Sequence, residues 1–128
     1  MRHNLVNEDA IVSVQDLMDL LTALVGPASN HGHFKHVRFE NTGGGNYVVE
    51  LGVNSADADN YLWISDDDGS FGYSELNGEM LSKQFYCCEY VWDEEEGCEI
   101  PDEESVHYLD GVNQLVDHLL ALIEAAKR

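Results

Sequence analysis

Basic side chains are scarce in this chain. Six Lys and Arg residues face 25 Asp and Glu, for a formal net charge of −19 over 128 residues and a pI of about 4.2. The six (Arg2, Lys35, Arg38, Lys83, Lys127 and Arg128) are scattered along the sequence. Phosphate contacts need clustered cations, so nucleic-acid binding is excluded on sign. A field this negative also repels anionic lipid and attracts a basic protein. Long apolar runs are missing: nothing approaches about 18 consecutive apolar residues, and no membrane span is expected. The opening Met1-Arg2-His3-Asn4 leads into mixed polar sequence without the apolar stretch of a signal peptide. Cysteine is sparse too. Three thiols, two of them the adjacent Cys87 and Cys88, make a poor disulfide framework and read as reduced thiols in a cytoplasm.

What is present suits one domain over residues 1–128. That length buries a real core, and a 44% hydrophobic content is globular despite the charge. Ser13 followed by Asp16 resembles a capping box. Val14, Leu17, Met18, Leu21, Leu24 and Val25 then recur at helical spacing, predicting a helix over 14–25. Gly26-Pro27 ends it, with Gly26 expected in the left-handed C-terminal conformation. The middle of the chain reads as antiparallel sheet. Val37 and Phe39 alternate with charged residues, the Asn41 to Asn46 turn follows, and Tyr47, Val49, Leu51 and Val53 share one face. Asn54 to Asn60 is a polar connection. Tyr61 to Ile64 and Phe71 to Glu75 flank Asp66-Asp67-Asp68-Gly69, which reads as a hairpin turn with Gly69 at positive φ. A fifth strand runs from about Gln84 to Trp92, and the acidic loop Asp93 to Gly97 ends it. A short extended piece over 105–108 precedes a helix capped by Asp110. In that helix Val112, Leu115, Val116, Leu119, Leu120 and Ile123 share one side, and Lys127 and Arg128 suit the negative end of its dipole. The expected class is α+β, with about five antiparallel strands flanked by an N-terminal and a C-terminal helix and the other sheet face partly open.

No constellation carries catalysis. An EF-hand register through Asp66, Asp68 and Glu75 would put Ile64 at the first ligand position, so the segment reads as a plain turn. His31, His33 and His36 cluster away from the cysteines, and Cys87 and Cys88 should point to opposite sheet faces, so no zinc spacing exists. There is no G-x-S-x-G elbow. Gly43-Gly44-Gly45 lacks the G-K-[ST] of a phosphate loop. With 25 acids, any carboxylate pair is uninformative. No catalytic residue, cofactor or metal is assigned.

The acids gather at Asp57 to Asp68, at Asp93 to Glu99 and at Asp102 to Glu104. Acidic loops fit a basic groove that normally receives phosphates, and steering of this kind raises association rates about 10- to 1,000-fold. Asp66, Asp67, Asp68, Asp93, Glu94, Glu95 and Glu96 are the expected electrostatic contacts. Tyr86, Tyr90 and Trp92 are candidate anchors, with ordinary packing as the alternative for each.

The segment from Tyr61-Leu62-Trp63-Ile64 through Asp66-Asp67-Asp68-Gly69 to Tyr73-Ser74 resembles the central hairpin of the Imm1-type immunity proteins of bacterial polymorphic toxin systems. Ile100-Pro101, Val106 and the helix from Val112 to Leu122 resemble their closing segment, and Val14 to Val25 fits the same layout. The resemblance implies a bacterial immunity protein, and the sequence is read as cytoplasmic and as a monomer when free. It would block a cognate toxin stoichiometrically, a nuclease or nucleic-acid deaminase with a basic surface. The Asn41 to Asn46 turn and the Asp93 to Glu96 loop map onto no family motif. Rival expectations are an acidic nucleic-acid mimic, an acidic secretion chaperone or adaptor, and a small enzyme with a cleft lined by His107, Tyr108 or a cysteine.

Overall fold

A computed structural model of the chain describes residues 7–28, 34–53 and 61–126. His31, His33, the Asn54 to Asn60 connection with Asp57 and Asp59, and the terminal Lys127 and Arg128 lie outside the described residues. The class is α+β, with two helices at the two ends of the chain and one antiparallel sheet between them. In chain order the elements are α1 (Val14–Val25), β1 (Phe34–Gly43), β2 (Asn46–Val53), β3 (Tyr61–Asp66), β4 (Phe71–Gly72), β5 (Gln84–Asp93), β6 (Cys98–Pro101), β7 (His107–Asp110) and α2 (Val112–Ala126).

Among the described residues seven strands form instead of the expected five, because two rows of the sheet are each built from two strands. The order is β1-β2-β3-β5-β6, with β4 on β2 and β7 on β5. Both β3 and β4 pair with β2, through Val49↔Ile64 and Tyr47↔Phe71. The Asp66 to Gly69 segment is therefore not a hairpin turn. It is an acidic loop thrown out of one continuing row, with Gly69 at φ 99° as expected. Likewise β6 and β7 share the far edge of β5, separated by a 3-10 turn over Glu103–Ser105. The acidic Asp93 to Gly97 segment does not simply end β5. It folds back as the tip of the β5–β6 hairpin, where Gly97 N–H donates to Asp93 O at 2.9 Å and Asp93 Oδ1 accepts from Glu95 N at 3.1 Å.

Helix α1 has the expected limits, and its capping box is complete. Ser13 Oγ accepts from Asp16 N and the Asp16 carboxylate accepts from Ser13 N. The same carboxylate accepts from Val12 N at 3.1 Å, and the backbone bonds from Val12 and then Ser13 hold the Asp16 carboxyl below its ordinary value. Gly26 departs from expectation: its φ is −69° and ψ 174°, extended rather than left-handed. A Cβ there would lie 2.6 Å from the Thr22 carbonyl oxygen, so close approach, not handedness, calls for glycine.

The start of α2 is also built differently. Asp110 does not cap it, because its carboxylate accepts from Gln84 Nε2 at 2.7 Å. Glu8 caps it from the other end of the chain, accepting from Val112 N at 2.5 Å and from Asn113 Nδ2 at 3.3 Å. Gly111, at φ 95°, leaves the space that the Glu8 carboxylate fills.

Both helices cover the same sheet face. Val14, Leu17, Leu21 and Val25 of α1 and Val112, Leu115, Leu119 and Ile123 of α2 share one core with Phe34, Val49, Leu51, Ile64, Phe71, Phe85 and Cys87. All seven of these sheet residues are essentially fully buried. At roughly 1.5–3 kcal/mol for each large apolar side chain buried, this layer dominates stability. No described helix is long and apolar enough to cross a membrane.

Candidate partner-binding face

Strand alternation sends every second side chain to the face opposite the helices. Three cross-strand rows emerge there. One runs Ser65–Tyr86–Tyr108, the next Arg38–Glu50–Trp63–Cys88, and the third His36–Gly52–Tyr61–Tyr90–Pro101. Trp92 follows Tyr90 on the same side of β5 and pairs with Glu99. The aromatics divide between the two faces, with Tyr47 and Tyr73 joining Phe39 on the helix side. Phe34, Phe71 and Phe85 sit in the helix-side core and Phe39 packs against it. Both tryptophans and Tyr61, Tyr86, Tyr90 and Tyr108 take the other face. Rings with a polar handle suit a surface that is apolar in body and wet at the tip.

The rings form two groups. Tyr61, Trp63 and Tyr90 pack mutually, with centroids 5.5 Å apart for Tyr61–Trp63 and Tyr61–Tyr90, and 4.2 Å for Trp63–Tyr90. Tyr86 and Tyr108 meet edge to face at 5.4 Å. Burial, then the negative charge of Glu99 and Glu50, pushes the Tyr61 phenol up to about 12. Burial, then Cys88, pushes Tyr86 up to about 12 and raises Tyr90. All three tyrosines therefore stay neutral, as hydrogen-bonding rings rather than anions.

Glu50 organises the middle of this face. It is only 9% exposed, and its two oxygens are fully engaged. Oε1 accepts from Trp63 Nε1 at 3.2 Å. Oε2 meets His36 Nε2 at 2.9 Å and Arg38 at 3.2 Å. Arg38 also reaches Glu40 at 3.4 Å. Gly52 makes room for this arrangement, since a Cβ there would stand 2.4 Å from the His36 ring.

The predicted contact residues fall in three places. Asp93 to Glu96 form the hairpin tip beyond Trp92, with Glu94, Glu95 and Glu96 exposed. Asp67 and Asp68 are exposed at the other end of β5, because Asp66 lies opposite Phe85. The two acidic loops are therefore separated by the length of β5, on the order of 25 Å at about 3.3 Å per residue. They bracket the aromatic face instead of forming one patch. Asp66 does not stand on the surface with its neighbours. It is 4% exposed, and its Oδ1 accepts from Asp68 N at 2.9 Å. Burial, partly offset by that bond, raises its carboxyl above the ordinary range. The three carboxylates approach within 4.8 Å of one another, but with Asp66 engaged in its own turn the cluster assigns no cation.

Tyr86, Tyr90 and Trp92 do share one face, at alternate positions of β5. Trp92 is 49% exposed, while Tyr86 and Tyr90 are half-buried by their neighbours. Sequence reasoning did not single out Tyr61, Trp63 and Glu50 as contact residues, and it offered Tyr108 only as part of a cleft. The signal existed: Tyr61 and Trp63 alternate with the core residues Leu62 and Ile64, and Glu50 is a lone acid inside Val48-Val49-Glu50-Leu51. His107 and Tyr108 are adjacent on β7, so their side chains leave opposite faces of the sheet. Tyr108 is 68% exposed, and the His107 ring meets His118 of α2 in a tilted contact with centroids 4.3 Å apart. Cys87 lies in the helix-side core, where burial pushes its thiol up to about 12. Cys88, also buried, points the other way, toward Ser105 and the Asp102 carbonyl.

Compared with known proteins, the chain matches no family model, no curated relative and no solved structure.

Proposed function

We propose that this chain is a cytoplasmic inhibitor protein of the immunity type. It binds a cognate bacterial toxin domain of basic surface, a nuclease or nucleic-acid deaminase, and neutralises it by one-to-one blockade without chemistry of its own. One observation carries the reading: two exposed acidic loops, Asp67–Asp68 and Asp93 to Glu96, bracket a sheet face that holds both tryptophans and four tyrosines. The net charge of −19 supplies the long-range attraction for a cationic partner, and the rings supply slow dissociation. Acids gathered in loops favour this over a nucleic-acid mimic, which spaces carboxylates along an elongated face. The resemblance to Imm1-type proteins points the same way.

The test is co-expression with the toxin domain encoded beside it. The reading expects restored growth and a one-to-one complex on gel filtration. A toxin that still kills in the presence of excess folded protein, with no complex formed, would overturn it.

A further inference from the structure

We propose that Tyr61, Trp63, Tyr90 and Trp92 form an arginine-accepting subsite, which takes a guanidinium side chain from a basic protein surface with Glu99 as its counter-charge. The inference rests on the reading above that the partner is cationic, and it adds which cation is recognised and where.

The rings of Tyr61, Trp63 and Tyr90 lie 4.2–5.5 Å apart, and Trp92 extends the group along β5 with its ring half-exposed. Such a surface offers aromatic faces, most openly at the half-exposed Trp92, together with the neutral phenol oxygens of Tyr61 and Tyr90. An Arg guanidinium is planar and weakly hydrated, so it stacks on such faces, whereas a Lys ammonium is compact and strongly hydrated. Glu99 sits opposite Trp92 in the ladder, and its charge reaches the Tyr61 phenol. Glu50 cannot serve as the counter-charge, because Trp63, His36 and Arg38 already occupy both its oxygens. Its role is to hold the Trp63 ring in place, so that less freedom is lost when a partner docks. A second copy of this chain is a poor occupant: two bodies of charge −19 repel each other. The negative surround selects a cationic protein instead.

The probes are a nonamer of arginine and a nonamer of lysine, each titrated into the full chain by calorimetry at low salt. The proteins are wild type, Trp92→Ala, Glu99→Gln and, as a distal control, Asp67→Asn with Asp68→Asn. Trp92 and the two aspartates are exposed, and thermal melts verify that each variant folds. For the wild type we expect the arginine peptide to bind about two- to fivefold tighter than the lysine peptide, the range for cation–π contacts at exposed sites. Trp92→Ala and Glu99→Gln should bring that ratio close to one. The distal pair should weaken both peptides and leave the ratio intact. Equal binding of the two peptides to wild type, or a ratio unchanged in Trp92→Ala, overturns the subsite while the anionic-rim reading stands. Failure of both peptides to bind overturns both.

Discussion

The indole N–H of Trp63 donates to Oε1 of Glu50 at 3.2 Å, and this bond ties the one indole of the open face's three-ring group to a carboxylate on β2. Glu50 is nearly buried and accepts from three partners on two other strands. A buried carboxylate is costly when unpaired and holds its neighbours firmly when paired. The aromatic face is thereby ordered before any partner arrives.

Replacing Glu50 by Ala leaves the Trp63 indole and the His36 ring without their acceptor. Hydrogen bonds to charged groups contribute about 1.5–3 kcal/mol, and a loss of that order is expected in urea unfolding. Glu50→Gln keeps an oxygen for Trp63 and should lose less. Equal stability of Glu50→Ala and wild type would show that the network does not order the face.

The helices and the long strands were legible in local sequence. The Ser13 and Asp16 spacing and the i, i+3, i+4 apolar pattern mark α1 because a helix is decided within its own turns. Period-two alternation marks β2 and β5 for the same reason. Apart from Gly26, whose setting is decided by Thr22 one turn back, the misplaced features depend on distant residues. Asp66-Asp67-Asp68-Gly69 carries turn chemistry whether the chain folds back on β3 or loops out and continues along β2, and only the pairing Tyr47↔Phe71 decides. Asp110 had the residue type of a cap, but the cap of α2 is Glu8, 104 positions from Val112. For the site, the alternate Tyr86, Tyr90 and Trp92 could be placed on one face from β5 alone. Joining them to Tyr61 and Trp63 needed the register Trp63↔Cys88.

Thiol chemistry separates the three cysteines. Cys87 and Cys88 are buried and Cys98 is exposed on β6. Burial pushes the Cys87 thiol up to about 12, leaving almost no thiolate at pH 8. One fast-reacting thiol per chain is expected with a disulfide reagent in native buffer, and three in guanidinium. Three fast thiols in the native protein would contradict the placement of β5.

Asp66 gives a pH signature. Burial raises its folded value above the ordinary 3.8, so the folded state holds the proton more tightly than the unfolded state. Its ionised form therefore costs stability above the raised value, and that cost disappears as pH falls toward 3.8. Asp66→Asn keeps an acceptor for Asp68 N and removes the buried charge. It should melt higher than wild type at pH 7, with the advantage shrinking on acidification and gone below about 3.8. A variant less stable than wild type at pH 7 would mean that the charge itself holds the turn.

The most direct test is the association rate with the cognate toxin domain as ionic strength rises from about 10 mM to 500 mM. Over that range the Debye length shrinks from about 30 Å toward a few Å. Stopped-flow should show a steep fall for wild type. For a variant with amides at Asp93, Glu94, Glu95 and Glu96, it should show a slower, flatter profile, down about tenfold or more at low salt. Dissociation should change little. An association rate indifferent to salt, or one unchanged by the four amides, would contradict the account.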